Sequence, residues 1–160
     1  MSESLSRAPQ STHHFRRIAI LFAGGPAPGA NAVISTAATS FMRQGTEVIG
    51  MKHGYSSLAD FSPAQPLVAG RDYVKMTPDF IKRTRSGQGI MLGTARTNPG
   101  KMVSSPAHLD DPEKVKQLAN VYAGLRSLGV EALISIGGDD TLKTANKFKM
   151  FQDRLPPGEL

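Results

Sequence analysis

Two adjacent carboxylates follow a glycine turn near the end of the chain. Asp139 and Asp140 come directly after Gly137 and Gly138, and an apolar run at residues 132–136 precedes the turn. In proteins Mg²⁺ usually takes one or two carboxylates and completes its shell with waters and substrate phosphate. The pair therefore indicates a metal and phosphate site, with Asp139 as the candidate magnesium ligand.

Helix capping is the alternative role for these two aspartates, since a helix is predicted to start near Thr141. A cap needs only one carboxylate, and a second one is repelled by the first unless a cation or hydrogen-bond donors intervene. The pattern favours a functional pair over a structural one.

Two other polar turns carry residue types that suit phosphate. Gly24 and Gly25 open a loop at residues 23–29, where the lack of side chains lets a ligand approach the backbone just before a helix. A tight connection without ligand is the alternative there. Arg96 ends a turn at residues 93–96 and presents a fork of donors that matches phosphate oxygens, with a surface salt bridge as the alternative.

The apolar patterns predict four strands and four helices. The strands are expected at residues 17–22, 46–51, 90–92 and 132–136, and the helices at 30–44, 77–85, 111–128 and 142–151. This alternation predicts a three-layer, doubly wound α/β fold with a mostly parallel sheet. Each polar turn follows a predicted strand, so all three should meet at the carboxyl edge of the sheet.

Length and composition indicate one domain. The 160 residues divide into a flexible leader at 1–16 and an α/β domain at 17–160. No apolar run approaches the roughly 18 residues that cross a bilayer, so no membrane association is expected. The absence of cysteine excludes disulfides and thiolate metal sites and suits a cytoplasmic protein.

The net charge of +6 is concentrated between Arg71 and Lys101, which hold seven Lys or Arg residues. Only Tyr73 and Phe80 are aromatic in this stretch, so nucleic acid is not an expected partner. Small phosphates fit the cluster better, and a solvated helix face is the alternative.

Two further groups are assigned structural roles. Lys143 and Lys147 lie one turn apart on the last predicted helix and are expected to form a solvated face. Met76, Met91 and Met102 are expected to be core or packing residues rather than a binding stripe.

Taken together, the three turns resemble those of the phosphofructokinases. Residues 24–31 resemble the phosphate-donor loop of that family, residues 93–96 its arginine turn, and residues 137–141 its magnesium-binding turn. The order and spacing of the three turns agree with those of the family from about residue 17 to residue 151. The resemblance implies a phosphofructokinase-like amino-terminal domain that is incomplete.

The family's reaction is phosphoryl transfer to the 1-hydroxyl of fructose 6-phosphate, a step of glycolysis that gives fructose 1,6-bisphosphate. Carried over by position, Gly24, Gly25, Arg96 and Thr141 would contact the donor phosphates, and Asp139 would hold Mg²⁺. These roles are implied by the resemblance.

Asp140 bears on the choice of donor. ATP-using members usually have glycine at this place, whereas pyrophosphate-using members commonly have aspartate. A carboxylate here repels the α-phosphate of ATP and leaves room for a diphosphate. Pro26 replaces an aspartate of many ATP-using members. The resemblance thus implies a diphosphate–fructose-6-phosphate 1-phosphotransferase, and an ATP-dependent enzyme with a displaced Asp140 is the alternative.

The acceptor half of the family's site has no counterpart before Leu160. The family's Thr-Ile-Asp-Asn-Asp segment, which carries the general base, and its sugar-phosphate-binding arginines are expected beyond this residue. We therefore expect no catalytic base in this chain and little activity from it in isolation. Three arrangements remain open: a homo-oligomer, a pairing with a carboxy-terminal fragment, and a non-catalytic regulatory subunit.

Overall fold

The computed structural model describes residues 12–156, and a single four-stranded sheet forms its centre. The strands are β1 (Arg17–Ala23), β2 (Glu47–Met51), β3 (Tyr73–Lys75) and β4 (Ala132–Gly137), in the spatial order β3-β2-β1-β4. β1 is parallel to both β2 and β4, and only β3 is antiparallel to its neighbour. The predicted mostly parallel sheet is confirmed.

Five α-helices connect and cover these strands in the described part of the chain. They are α1 (Ala30–Arg43), α2 (Ser56–Ala59), α3 (Pro78–Thr84), α4 (Pro112–Ser127) and α5 (Asp139–Gln152), with a 3₁₀ turn at Pro106–Asp110 before α4. Local sequence sets two of the starts: Thr77 accepts a hydrogen bond from the Phe80 amide, and Asp111 accepts one from the Glu113 amide.

The side chains of β1 alternate between two hydrophobic clusters. Ile18 and Ile20 point to a layer that contains α1 and α3, where Ile34 and Ile81 are buried. Ala19, Leu21 and Ala23 point to the other layer, which is built mainly from α4 and α5. Because one mostly parallel sheet lies between two helical layers, the predicted three-layer architecture is confirmed.

The strands differ in burial. β1 is buried from Ile18 to Ala23, whereas every residue of β4 is only half-buried. Within residues 12–156, β4 pairs with β1 alone and forms one edge of the sheet. The central position of β1 in the described sheet therefore accounts for its deeper burial.

The predicted strand at residues 90–92 does not form. Leu92 is buried against Gly50, where an added Cβ would lie 2.4 Å from a Leu92 methyl carbon. The backbone there bonds irregularly, because the Met91 amide donates to the side chain of Asn31 and the Leu92 carbonyl accepts from the His53 amide. An apolar run of this length shows burial but cannot by itself distinguish a strand from a packed loop.

The loop-rich stretch at residues 52–73 contains the short helix α2 and a buried carboxylate. Asp72 accepts hydrogen bonds from the hydroxyl of Ser57, the amide of Val68 and the guanidinium of Arg71. The Arg71 guanidinium is the largest cause that holds the pKa of Asp72 at about 2, below its ordinary value of 3.8.

Residues 1–11 of the predicted leader lie outside the described residues. At the end of the predicted leader, the backbone amide and the guanidinium of Arg16 donate hydrogen bonds to the Glu131 carboxylate, and Phe15 packs against Phe41.

No helix within residues 12–156 combines the length and apolar character that a membrane span needs. Of Met76, Met91 and Met102, Met76 is buried in the core, whereas Met102 is 58% exposed, so Met102 is not a core residue.

Candidate phosphate-binding site

A cleft of about 560 Å³ opens at the carboxyl ends of β1 and β4. The chain leaves β1 toward β2 on one side, whereas β4 lies on the other side, so the two strand ends flank the point where the winding of the sheet reverses. Ligands of open α/β sheets bind at this point. The cleft is lined by Ala23, Gly24, Gly25, Tyr55, Ala95, Arg96, Thr97, Asn98, Gly138, Asp139, Asp140, Thr141, Lys143 and Thr144.

All three polar turns predicted from the sequence contribute to this cleft. The first turn supplies Gly24 and Gly25, the second supplies Arg96, and the third supplies Asp139 and Asp140. Their predicted convergence is confirmed. The expectation that each turn follows a strand is wrong for the second turn, because no strand forms at residues 90–92.

The turn after β4 must pass very close to the end of β1. A Cβ at Gly137 would lie 2.3 Å from the carbonyl oxygen of Ala23, so only glycine fits. The hydroxyl of Thr141 donates to the same carbonyl at 3.1 Å. Thr141 therefore uses its hydroxyl hydrogen inside the protein and offers a ligand its backbone amide.

Gly24 has a comparable structural task. Its φ of 98° lies in the left-handed region that favours glycine, its amide donates to the Ala95 carbonyl at 2.9 Å, and its carbonyl accepts from the Thr94 hydroxyl at 2.6 Å. The predicted strand at residues 90–92 does not form, so these two hydrogen bonds hold the Arg96 turn in place instead. The Gly24 amide is thus already bonded, and the neighbouring amide of Gly25 takes part in none of the described backbone hydrogen bonds.

Arg96 is exposed at the rim of the cleft. Among residues 12–156 its guanidinium forms neither a hydrogen bond nor an ion pair. The salt-bridge alternative for Arg96 is therefore not realised in the described part of the chain. A free guanidinium beside a glycine turn can bind two oxygens of one phosphate at once.

The other basic residues of the 71–101 cluster have different surroundings. Arg71 pairs with Asp72, Lys75 with Glu47, and Arg83 with Asp79. Of the seven basic residues, only Arg96 lines this cleft. The sequence cluster is therefore not one phosphate-binding surface.

The aspartate pair does not cap α5. Gly138 is the N-cap residue and no side chain caps it, while Asp139 and Asp140 occupy the first two helical positions. The helix begins three residues earlier than predicted, and its first intrahelical bond runs from the Leu142 amide to the Gly138 carbonyl. The capping alternative is wrong, and the amides of the first turn remain available to an anion.

The two carboxylates have different partners. Asp140 lies 3.7 Å from the ammonium of Lys143, and the two side chains are 89% and 72% exposed. Asp139 has no ion pair or hydrogen bond within residues 12–156, so its oxygens are free to bind a cation.

Mg²⁺ fits the donors around Asp139. A single free carboxylate beside a phosphate-sized cleft matches the preference of Mg²⁺ for one or two protein oxygens, water and substrate phosphate. The described residues contain no group of three or more His, Cys, Asp or Glu side chains placed to hold a metal.

The lining of the cleft includes a tyrosine that sequence reasoning missed. Tyr55 is buried and donates to the hydroxyl of Ser135 at 2.8 Å. Burial raises the pKa of this phenol. No periodicity marks Tyr55, because it lies in a stretch without regular structure just before α2.

Sequence reasoning also missed the contacts between α5 and the loop after Arg96, which include two residues of the cleft lining, Asn98 and Thr144. Thr144 donates to the side-chain oxygen of Asn98 at 2.8 Å, which joins α5 to the loop after Arg96. Lys147 donates to the carbonyl of Gly100 at 3.0 Å and is half-buried. The expectation of a solvated face is therefore wrong for Lys147 and holds for Lys143.

Comparison with known proteins identifies the family. The sequence profile described as "Phosphofructokinase" matches residues 17–156. The chain therefore belongs to the phosphofructokinase family.

Curated relatives with both kinds of donor are similar to it. The pyrophosphate–fructose 6-phosphate 1-phosphotransferase of Thermotoga maritima is 33% identical over 82% of this chain and 27% of that protein. The ATP-dependent 6-phosphofructokinase of Aquifex aeolicus is 35% identical over 81% of this chain and 33% of that protein. The chain thus spans about a third of the length of these relatives.

Solved structures share the fold. The phosphofructokinase of Saccharomyces cerevisiae matches 91% of this chain and 17% of its own with a TM-score of 0.65 at 22% identity. Pichia pastoris phosphofructokinase in the T-state matches 97% of this chain and 15% of its own with a TM-score of 0.67 at 23% identity.

Proposed function

We propose that this chain forms the donor-phosphate half of a phosphofructokinase that transfers a phosphoryl group from pyrophosphate to fructose 6-phosphate. The products are fructose 1,6-bisphosphate and phosphate. Family membership supports the reaction class, and the cleft supports the donor. The observation that carries the choice of donor is the position of Asp140, an exposed carboxylate in the first turn of α5 that caps nothing.

Two positively polarised groups that line the same cleft bind the donor phosphates. One is formed by the free amides at the start of α5 and the positive end of its dipole. The other is the unpaired guanidinium of Arg96. Phosphoryl transfer depends chiefly on such positioning and charge stabilisation.

Asp139 would hold Mg²⁺ at the same end of the cleft. When bound, the metal ion supplies positive charge to the phosphate oxygens as negative charge builds up in the transition state. Asp139 is suited to this role because its carboxylate has no partner within residues 12–156.

Asp140 would select the donor by charge. A diphosphate that occupies the amides and Arg96 ends near the first turn of α5. A longer donor places a further phosphate group beside the Asp140 carboxylate, where like charges repel each other. Because the similar proteins use either donor, this repulsion is the main support for pyrophosphate.

An ATP-dependent phosphofructokinase is the second candidate, and the Lys143 ammonium is the observation that favours it. It lies 3.7 Å from Asp140 and offsets part of the carboxylate charge. Exposed pairs of this kind contribute only about 0–1 kcal/mol, so the offset is small.

Calorimetric titration of the 160-residue chain with magnesium pyrophosphate and magnesium ATP tests the proposal. We expect pyrophosphate to bind more tightly, and we expect Asp139→Asn to weaken binding in Mg²⁺ more than binding of the metal-free anion. Asp153→Asn is the matched control, because Asp153 follows the far end of the same helix and pairs with Lys149. Equal effects of the two substitutions, or no binding of either donor, would contradict the proposal.

A further inference from the structure

Two residues of the cleft lining, Asn98 and Thr144, have no role in the proposed donor site. Asn98 lies in the loop after Arg96 and Thr144 lies on α5, and the two side chains form a bridge in which the Thr144 hydroxyl donates to the Asn98 side-chain oxygen at 2.8 Å. The hydroxyl of Thr144 also lies 2.8 Å from the carbonyl of Asp140, so its single hydrogen is shared between two acceptors. Thr144 is only 3% exposed, which makes this bridge a buried contact rather than a surface contact.

A second contact holds the loop that carries Asn98. The Asn98 side-chain oxygen also accepts from the Gly100 amide at 3.0 Å, and the Lys147 ammonium donates to the Gly100 carbonyl at 3.0 Å. Gly100 is buried, and a Cβ there would lie 2.9 Å from the Lys147 side chain. The loop is therefore packed directly on α5.

The bridge lies one helical turn beyond Asp140. Thr144 follows Asp140 by four residues on the same face of α5, which is a rise of about 6 Å along the helix axis. A ligand anchored at the start of α5 and extended along this face passes Asp140 first and then meets the bridge. A diphosphate ends before that point, whereas a third phosphate or a nucleoside does not.

We propose that the Asn98–Thr144 bridge, braced by Lys147, limits the length of the phosphoryl donor to a diphosphate. This inference rests on the proposed function, but it is a steric limit and differs from the charge repulsion assigned to Asp140. The two act in series: Asp140 opposes the charge of a longer donor, and the bridge occupies its path. Replacement of Asp140 alone therefore leaves one barrier in place.

Inorganic tripolyphosphate separates length from nucleoside chemistry and is the probe of choice. The dissociation constants of magnesium pyrophosphate and magnesium tripolyphosphate are measured by calorimetry for the 160-residue chain and for Thr144→Ala. We expect Thr144→Ala to shift the affinity ratio toward tripolyphosphate by about tenfold, which corresponds to about 1.4 kcal/mol. Asn146→Ala, an exposed position on the same helix, should leave the ratio unchanged.

Combination with Asp140→Gly provides a second, independent measurement. If the bridge is a barrier of its own, ATP affinity in Asp140→Gly/Thr144→Ala exceeds that in Asp140→Gly by a further factor of about ten. Thr144→Ser, which keeps the hydroxyl, should restore most of the discrimination.

The outcomes distinguish this inference from the proposed function. Equal affinities of the wild-type chain for pyrophosphate and tripolyphosphate would contradict the length limit set by the Asn98–Thr144 bridge but would not contradict the proposed phosphate site. Equal weakening of both ligands by Thr144→Ala would show a purely structural role and would also contradict the length limit. Absence of binding to either ligand would contradict both the length limit and the proposed function.

Discussion

The hydroxyl of Thr141 donates a hydrogen bond to the carbonyl oxygen of Ala23 at 3.1 Å, and this bond ties the first turn of α5 to the end of β1. The two strands that flank the cleft are in register at this point, since Ala23 pairs with Gly137. The amides of α5 and the glycine turn after β1 are thereby held at a fixed spacing. The proposed donor site is built on this junction.

Gly137→Ala should disrupt the junction. Its Cβ would lie 2.3 Å from the Ala23 carbonyl oxygen and 2.4 Å from the Thr141 hydroxyl, so the backbone must shift. We expect a loss of about 2–4 kcal/mol in the free energy of unfolding, measured by chemical denaturation.

Gly138→Ala is the matched control for this substitution. No atom lies within 4 Å of a Cβ at Gly138, and its φ of −84° suits any residue. Its unfolding free energy should change by less than about 0.5–1 kcal/mol. Similar losses at the two glycines would show that the close approach is not what selects glycine at residue 137.

Arg96→Ala should weaken pyrophosphate binding without a loss of stability. A hydrogen-bonded charge contact to phosphate contributes about 1.5–3 kcal/mol, so the dissociation constant should rise by about ten- to a hundredfold. Arg96→Lys should recover only part of this loss, because an ammonium lacks the bidentate fork. Arg83→Ala, at an exposed arginine paired with Asp79, serves as the control, and an equal effect there would indicate non-specific charge attraction.

Asp140→Gly and Asp140→Asn together should separate charge from size in donor choice. We expect both to raise the affinity for magnesium ATP relative to pyrophosphate, with the larger part, about tenfold, already produced by Asp140→Asn. Competition binding at fixed Mg²⁺ measures the ratio. An unchanged ratio in both variants would remove Asp140 as the filter.

The buried Asp72 predicts an acid-dependent loss of stability. Its folded pKa of about 2 lies below the ordinary 3.8, so its contribution is complete above about pH 4 and is lost as the pH falls toward 2. Over this window wild type should lose on the order of 1–2 kcal/mol more unfolding free energy than Asp72→Asn, since the exposed Arg71 partner is partly screened. A constant difference between the two proteins across the window would contradict this assignment.

Local sequence patterns predicted the elements whose causes are local. The helices α3 and α4 begin close to their predicted starts, because Thr77 and Asp111 cap them and a cap depends on a few neighbouring residues. The short, continuous apolar run of β1 likewise predicted a strand.

The missed features depend on contacts between distant parts of the chain. Residues 90–92 are apolar because Leu92 packs on Gly50, a contact that the local pattern cannot distinguish from strand pairing. The Asn98–Thr144 bridge joins residues 46 positions apart. No spacing rule marks either partner of the bridge. The three turns of the site could therefore be predicted from the sequence, whereas the Asn98–Thr144 bridge could not.

The central claim is tested most directly by the steady-state specificity constants, kcat/KM, of the proposed phosphofructokinase in which this chain forms the donor-phosphate half. They are to be measured with pyrophosphate and with ATP at matched free Mg²⁺ and saturating fructose 6-phosphate. The account predicts a higher kcat/KM with pyrophosphate. A much higher kcat/KM with ATP would contradict it.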